Sequence, residues 1–128
     1  MNQKQPPSFS LKKRINSFKY AINGLKIILE TQANFMIHLV AAVLVTAGGL
    51  YFQISFWEWS VLVLIIALVL SAEAFNTAIE KLVDLVSPDY NIKAGQIKDI
   101  AAGAVLIVSI AAVLIGMVIF LPKILYLF

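Results

Sequence analysis

Apolar positions follow two rhythms along this chain. Between Leu11 and Leu29 they recur at Leu11, Ile15, Phe18, Ile22, Leu25 and Leu29, steps of four and three that lay a narrow stripe along one helix. Lys12, Arg14, Lys19 and Lys26 flank the stripe. The pattern predicts an amphipathic helix over residues 10–30, N-capped by Ser10 and lying in a membrane interface. Lys13, Tyr20 and Gly24 fall on the opposite face, where they could meet a cytoplasmic ligand; a solvated basic anchor with no ligand fits equally well. Beyond residue 30 the stripe gives way to three continuous apolar runs, predicted as membrane helices over residues 34–53, 57–86 and 98–121. Each is long enough for the ~20 residues that cross a hydrocarbon core. Residues 1–9, with Pro6-Pro7, read as a disordered tail. The expected architecture is all-α: one integral-membrane domain over residues 1–128, with three transmembrane helices and an N-terminal interfacial helix.

The second run departs from a plain span. No charge occurs from Trp59 to Ala72, and the segment then continues, without Gly or Pro, into Glu73-Ala-Phe-Asn76-Thr-Ala-Ile-Glu80-Lys-Leu-Val-Asp84. At about 100° per residue, Asn76, Thr77, Glu80 and Asp84 all lie within roughly 60° of Glu73. Ionisable groups within a membrane segment are costly and face a bundle interior or a wet cavity, so this face is the candidate site. Glu73 and Glu80 stand about 10.5 Å apart along the axis, too far to share one ion without other helices. They suit separate tasks. Glu80 and Asp84 lie near the interface, where carboxylate oxygens can hold Mg²⁺ with phosphate oxygens. Glu73 lies deeper, as a general base for an acceptor delivered from the bilayer.

Composition agrees with a membrane protein: 61% of the 128 residues are apolar and 13% charged. There is no cysteine, which excludes disulfides and thiolate metal sites. The first 30 residues lack a cleavable signal pattern, so every span is expected in the mature protein. Basic residues precede the first run and sit at Lys93 and Lys98, whereas the stretch around Gln53 to Trp57 has none. The three runs make the chain multi-pass, and the positive-inside rule then places the amino terminus and the loop between the second and third runs in the cytoplasm, with Lys123 alone against the trend. Juxtamembrane cations favour anionic lipid over nucleic acid. Trp57 and Trp59 fit an interfacial aromatic belt. Ser87-Pro88-Asp89-Tyr90-Asn91 is turn chemistry. Lys98-Asp99 is expected to open the third helix, where a lysine beside free N–H groups suits phosphate. Ala101-Ala102-Gly103-Ala104 would allow close helix approach. His38 reads as structural. No Walker A, dinucleotide-binding or hydrolase signature is present among these residues.

Glu73-x-x-Asn76-Thr-Ala-Ile-Glu80-x-x-x-Asp84, followed by Lys98-Asp99-x-Ala-Ala-Gly-Ala-Val-Leu, resembles the small bacterial diacylglycerol kinase family, which includes undecaprenol kinases. Tyr20-x-x-x-Gly24-Leu25-Lys26 extends the resemblance into the first helix, over nearly the whole chain. It implies a homotrimeric lipid kinase of the bacterial inner membrane, with sites at protomer interfaces, moving the γ-phosphoryl group of MgATP onto diacylglycerol or undecaprenol. By motif position, Glu73 would be the base, Asn76 would orient groups beside it, and Glu80 would bind the metal. Lys98 and Asp99 would hold ATP, Asp89, Tyr90 and Asn91 would lie near the adenosine, and Tyr20 and Lys13 would reach the nucleotide from the first helix. The family's second metal-binding glutamate is replaced by Gln32, whose amide oxygen can ligate Mg²⁺ but carries no charge, which implies weaker metal binding or lower activity. Ala33 and Met36 also replace polar or basic side chains. A non-catalytic lipid- or partner-binding member of the fold is the alternative, and a channel subunit using Glu73 and Glu80 is a third, disfavoured by Lys98-Asp99.

Overall fold

The structure is a computed structural model, and it describes residues 9–128. It is all-helical over the described residues: α1 spans Leu11–Thr31, α2 Ala33–Tyr51, α3 Phe56–Val86 and α4 Ile92–Leu125. The predicted tail falls outside the described residues except for Phe9. The chain divides into two units, residues 1–31 and 32–128.

In the first unit, Ser10 occupies the predicted cap position, its carbonyl accepting from Arg14 N at 3.2 Å. The stripe residues of α1 are exposed, Leu11, Ile15, Phe18 and Ile22 among them. Lys26 and Glu30 form a 3.8 Å pair one turn apart, worth a few tenths of a kcal/mol at ~0.3–0.5.

In the second unit, α2, α3 and α4 are each long and apolar enough to cross a membrane. At a rise of ~1.5 Å per residue, the 31 residues of α3 and 34 of α4 exceed a ~30 Å hydrocarbon core. Their ends must therefore project beyond it. The α2–α3 turn is tight. Ile54 N donates to Gly49 O at 3.1 Å, and Gln53 takes a left-handed φ of 49°. Ser55 and Glu58 then form a reciprocal capping box, Ser55 N donating to Glu58 Oε2 at 2.6 Å. Gly49 lies under Trp59: a Cβ there would stand 2.8 Å from the indole. Trp59 is therefore half-buried in the helical hairpin, while Trp57 remains exposed.

Ile54, Leu62, Ile65 and Ile119 form the core of the α3–α4 contact, with Phe52 and Phe120 packed around them. Two ion pairs join these antiparallel helices, Asp84–Lys98 at 2.8 Å near one end and Glu58–Lys123 at 3.0 Å near the other. Much apolar surface stays uncovered, including Ile37, Leu44, Leu64 and Ile107, as expected of helices that face lipid or further copies.

Three helix boundaries fall within one or two residues of the expected ones, within the usual tolerance. The third span differs, because α4 begins at Ile92 rather than at residue 98. Asn91 caps it, its Oδ1 accepting from Lys93 N at 2.9 Å and Ala94 N at 3.2 Å. Lys98 therefore sits in the second turn, not at a free helix N-terminus, and the phosphate site built on unpaired N–H groups does not stand.

Candidate active site

The polar face of α3 is buried where the sequence predicts it. Glu73 is 3% exposed, Asn76 7% and Thr77 2%, on a helix whose opposite flank carries exposed Phe75 and Leu82. Asn76 Nδ2 donates to Glu80 Oε1 at 3.1 Å, one turn on. Asn76 Oδ1 and Thr77 Oγ1 are buried without a hydrogen-bond partner. A buried oxygen in that state costs about 1–3 kcal/mol unless something meets it. The face thus offers a ligand one carboxylate in a polar neighbourhood, a second held by an amide, and two unpaired polar oxygens.

Asp84 continues this face but turns to α4, accepting from Lys98 Nζ at 2.8 Å. Both side chains are substantially exposed, at 65% and 37%, so the pair contributes little to stability. It does fix where the Lys98 cation stands, beyond the buried end of the site. Asp99 is exposed beside it, and Asp89 and Tyr90 are exposed in the turn between α3 and α4. Asn91 is drawn into capping α4, which commits its carbonyl oxygen. Gln32 is half-buried, with extended backbone (φ −122°, ψ 102°), immediately before α2. Lys13 and Tyr20 lie exposed on α1, in the other unit.

Among the predicted residues, then, Asn76 with Glu80 and Asp84's partner Lys98 are joined by direct bonds, with Glu73 on the same helix face. Among the described residues no three His, Asp or Glu side chains converge into a metal cage. Sequence reasoning placed Thr77 on the active face without assigning it a role, although a buried Thr hydroxyl there is as noteworthy as Asn76. It also missed the Asp84–Lys98 bond, which joins residues fourteen apart across a turn and has no local signature.

The comparisons with known proteins follow the same residues. The sequence model of prokaryotic diacylglycerol kinase matches residues 19–120. The undecaprenol kinase of Bacillus subtilis is 38% identical over 113 residues, which cover 88% of this chain and 92% of that protein. A diacylglycerol kinase of Synechocystis is 41% identical over 110 residues, 85% of this chain and 63% of that protein. The diacylglycerol kinase of Escherichia coli K12 is 30% identical over 100 residues, 78% and 82% of the two. The match spans the helix bearing Glu73, Asn76 and Glu80 and the one bearing Lys98, and the chain belongs to the prokaryotic diacylglycerol kinase family.

Proposed function

We propose that this protein transfers the γ-phosphoryl group of MgATP to the hydroxyl of a lipid alcohol, with the polar face of α3 as its active site. That the chain is a membrane lipid kinase follows from its family. The observation that carries the finer reading is the burial, on one helix face, of Glu73, Asn76 and Thr77 with Glu80 tied to Asn76 at 3.1 Å. Ionisable groups buried in an apolar helix are costly and mark a functional site by default.

In this reading Glu73 accepts the proton of the lipid hydroxyl as it attacks. Its depth in α3 suits an acceptor that arrives from the bilayer. Glu80, the orphaned Oδ1 of Asn76 and Gln32 supply hard oxygen donors that fit Mg²⁺, which typically takes one or two carboxylates besides phosphate oxygens. The ion, when bound, neutralises charge on the transferring phosphoryl group. Lys98, held by Asp84, offers its cation to the phosphates, with Asp99 beside it. Asp89, Tyr90 and the amide nitrogen of Asn91 serve the adenosine, with Lys13 and Tyr20 as further nucleotide contacts. Phosphoryl transfer needs chiefly positioning and charge neutralisation, so this set is sufficient without a P-loop.

A lone chain with three spans has too little wall to enclose ATP and a lipid, which supports a homotrimer with sites shared between protomers. The basic residues before α2 and at Lys93 and Lys98 support a cytoplasmic amino terminus in the bacterial inner membrane. Radiolabel transfer from ATP to diacylglycerol and to undecaprenol, by the purified protein in detergent with Mg²⁺, tests the reading. Phosphorylation of either lipid supports it, and ATP binding without transfer to any lipid alcohol overturns it.

A further inference from the structure

Three polar side chains, one on each of α2, α3 and α4, stand at nearly one level without a hydrogen-bond partner. Ser109 Oγ is buried and unbonded, although Thr46 and Ser60 bond the carbonyl four residues back at 2.7 and 2.9 Å. Glu73 is 3% exposed and His38 half-buried. Among the described residues, neither the carboxylate of Glu73 nor the imidazole of His38 makes a hydrogen bond.

Their levels follow from contacts elsewhere on the same helices. Eleven residues inward from the Asp84–Lys98 pair, Glu73 stands against Ser109; fifteen inward from Glu58–Lys123, it stands against Val108. The two pairs agree within a residue. Helices α2 and α4 run parallel, and a Cβ on Gly48 would lie 3.3 Å from the Phe120 ring. Eleven residues back from each are Ile37, the neighbour of His38, and Ser109. Between the antiparallel α2 and α3, Gly49 meets Trp59, and eleven residues from each are His38 and Leu70, one turn short of Glu73.

The side chains also face one another. His38 belongs to the stripe Phe35, His38, Ala42, Val45 and Gly49, the covered face of α2. It borders one cleft of about 290 Å³ together with Val69, Leu70 and Ser109. Side chains on a helix lean towards its N-terminus. Because α2 and α3 are antiparallel, His38 leans to the Glu73 level and Glu73 to the His38 level, across an axial offset of about 4.5 Å. No other titratable residue competes there, since none occurs from Trp59 to Ala72 or from Ile100 to Pro122.

The three groups are complementary as donors and acceptors. A neutral imidazole has one N–H donor and one acceptor nitrogen, a hydroxyl can donate, and a carboxylate only accepts. We propose that His38, read from sequence as structural, is a positioning residue for the base. Its ring turns in the cleft to accept from Ser109 Oγ and to donate to one carboxylate oxygen of Glu73, leaving the other oxygen free to take the proton of the attacking hydroxyl. A reacting group oriented by a second, itself held by a third, is a recurring arrangement. Here each member comes from a different helix. The inference deepens the proposed function and rests on the role of Glu73 as base in it.

A double-mutant cycle in the full-length protein, in detergent with Mg²⁺, tests it. His38→Ala should lower kcat about 10- to 100-fold, the worth of one hydrogen bond to a charged group, with the KM for ATP unchanged. In a Glu73→Gln background the same substitution should change kcat by less than about twofold, because residues that act as a unit are not additive. Ser109→Ala should cost about 2- to 10-fold, the worth of a neutral hydrogen bond, and nothing further once His38 is Ala. Should His38→Ala fail to fold, read as loss of ATP binding, His38→Gln fills the position and the same cycle decides. Normal kcat on loss of the imidazole, or a loss that persists undiminished beside Glu73→Gln, overturns the proposal; the second is the behaviour of a histidine that only packs. Normal kcat in Glu73→Gln would remove the base and this inference with it. A deficient Glu73→Gln beside a normal His38→Ala would leave the base standing and remove only its support.

Discussion

The bond between Asn76 and Glu80 allows the chemistry of this face to be separated from its packing. Asn76 Nδ2 donates to Glu80 Oε1 at 3.1 Å, while Asn76 Oδ1 already lacks a partner at 7% exposure. Glu80→Ala removes the last partner of a buried amide, and the penalty for such a stranded donor is about 1–3 kcal/mol. Glu80→Gln keeps a carbonyl oxygen at the same reach. It exchanges a charge-assisted hydrogen bond for a neutral one, which costs no more than about 1 kcal/mol. The two variants should therefore differ in resistance to SDS, followed as loss of helical circular dichroism in mixed micelles. They should agree in activity. Both lose the carboxylate proposed to hold Mg²⁺, and turnover should fall beyond the ~10–100-fold typical of losing a ligand's outer partner, with weakened dependence on Mg²⁺. Near-normal transfer by Glu80→Gln at ordinary Mg²⁺ would refute the metal assignment. Equal stability of the two variants would refute the account of the hydrogen bond.

Glu73→Gln should lower kcat by ~10²- to 10⁴-fold, the span of a general base, with nucleotide and metal binding intact; loss of ATP binding with normal saturated turnover would show the role to be misassigned. Lys98→Ala should raise the KM for ATP far more than that for lipid, whereas Asp84→Ala, which removes the acceptor of the same 2.8 Å bond but keeps the cation, should not; matching kinetics in the two variants would make Lys98 a tie between helices and nothing more. Gln32→Glu should tighten apparent Mg²⁺ binding at limiting metal, because two anionic oxygens hold the ion better than one, and an unchanged Mg²⁺ titration in a folded variant would put Gln32 outside the metal shell. Gly49→Ala should cost about 1–3 kcal/mol by overpacking against Trp59 at 2.8 Å, read by SDS unfolding; Gly95→Ala, whose Cβ meets nothing within 4 Å, should instead be neutral or stabilising by up to ~1 kcal/mol.

What the sequence carried plainly was whatever repeats with helical period. The three apolar runs, and the continuation of the second into Glu73, Asn76 and Glu80 on one face, follow from spacing alone, and the structure has them on the single helix α3. The start of α4 was hidden because Ile92-Lys-Ala-Gly-Gln-Ile97 has no sustained apolar stripe, and because Asn91 serves equally as turn residue and cap. Its cap bonds to Lys93 and Ala94 exist only once the chain has turned. The capping box at Ser55-Phe-Trp-Glu58 had a sequence signature, Ser followed three residues later by Glu before an apolar run. The Asp84–Lys98 and Glu58–Lys123 pairs depend on the register of two antiparallel helices, which no local pattern specifies.

That register gives a partner to the one charge at odds with the predicted orientation. Lys123 is the only basic residue in the last 29 positions of the chain, and on the positive-inside rule it should oppose the cytoplasmic placement of the other end. In the folded protein it bonds Glu58 at 3.0 Å, both side chains being 28% exposed, and the same glutamate already caps α3 through Ser55. The lysine is thus offset at its own end of the helix pair and adds little net charge there. At the opposite end Asp84 offsets Lys98 in the same way, at 2.8 Å.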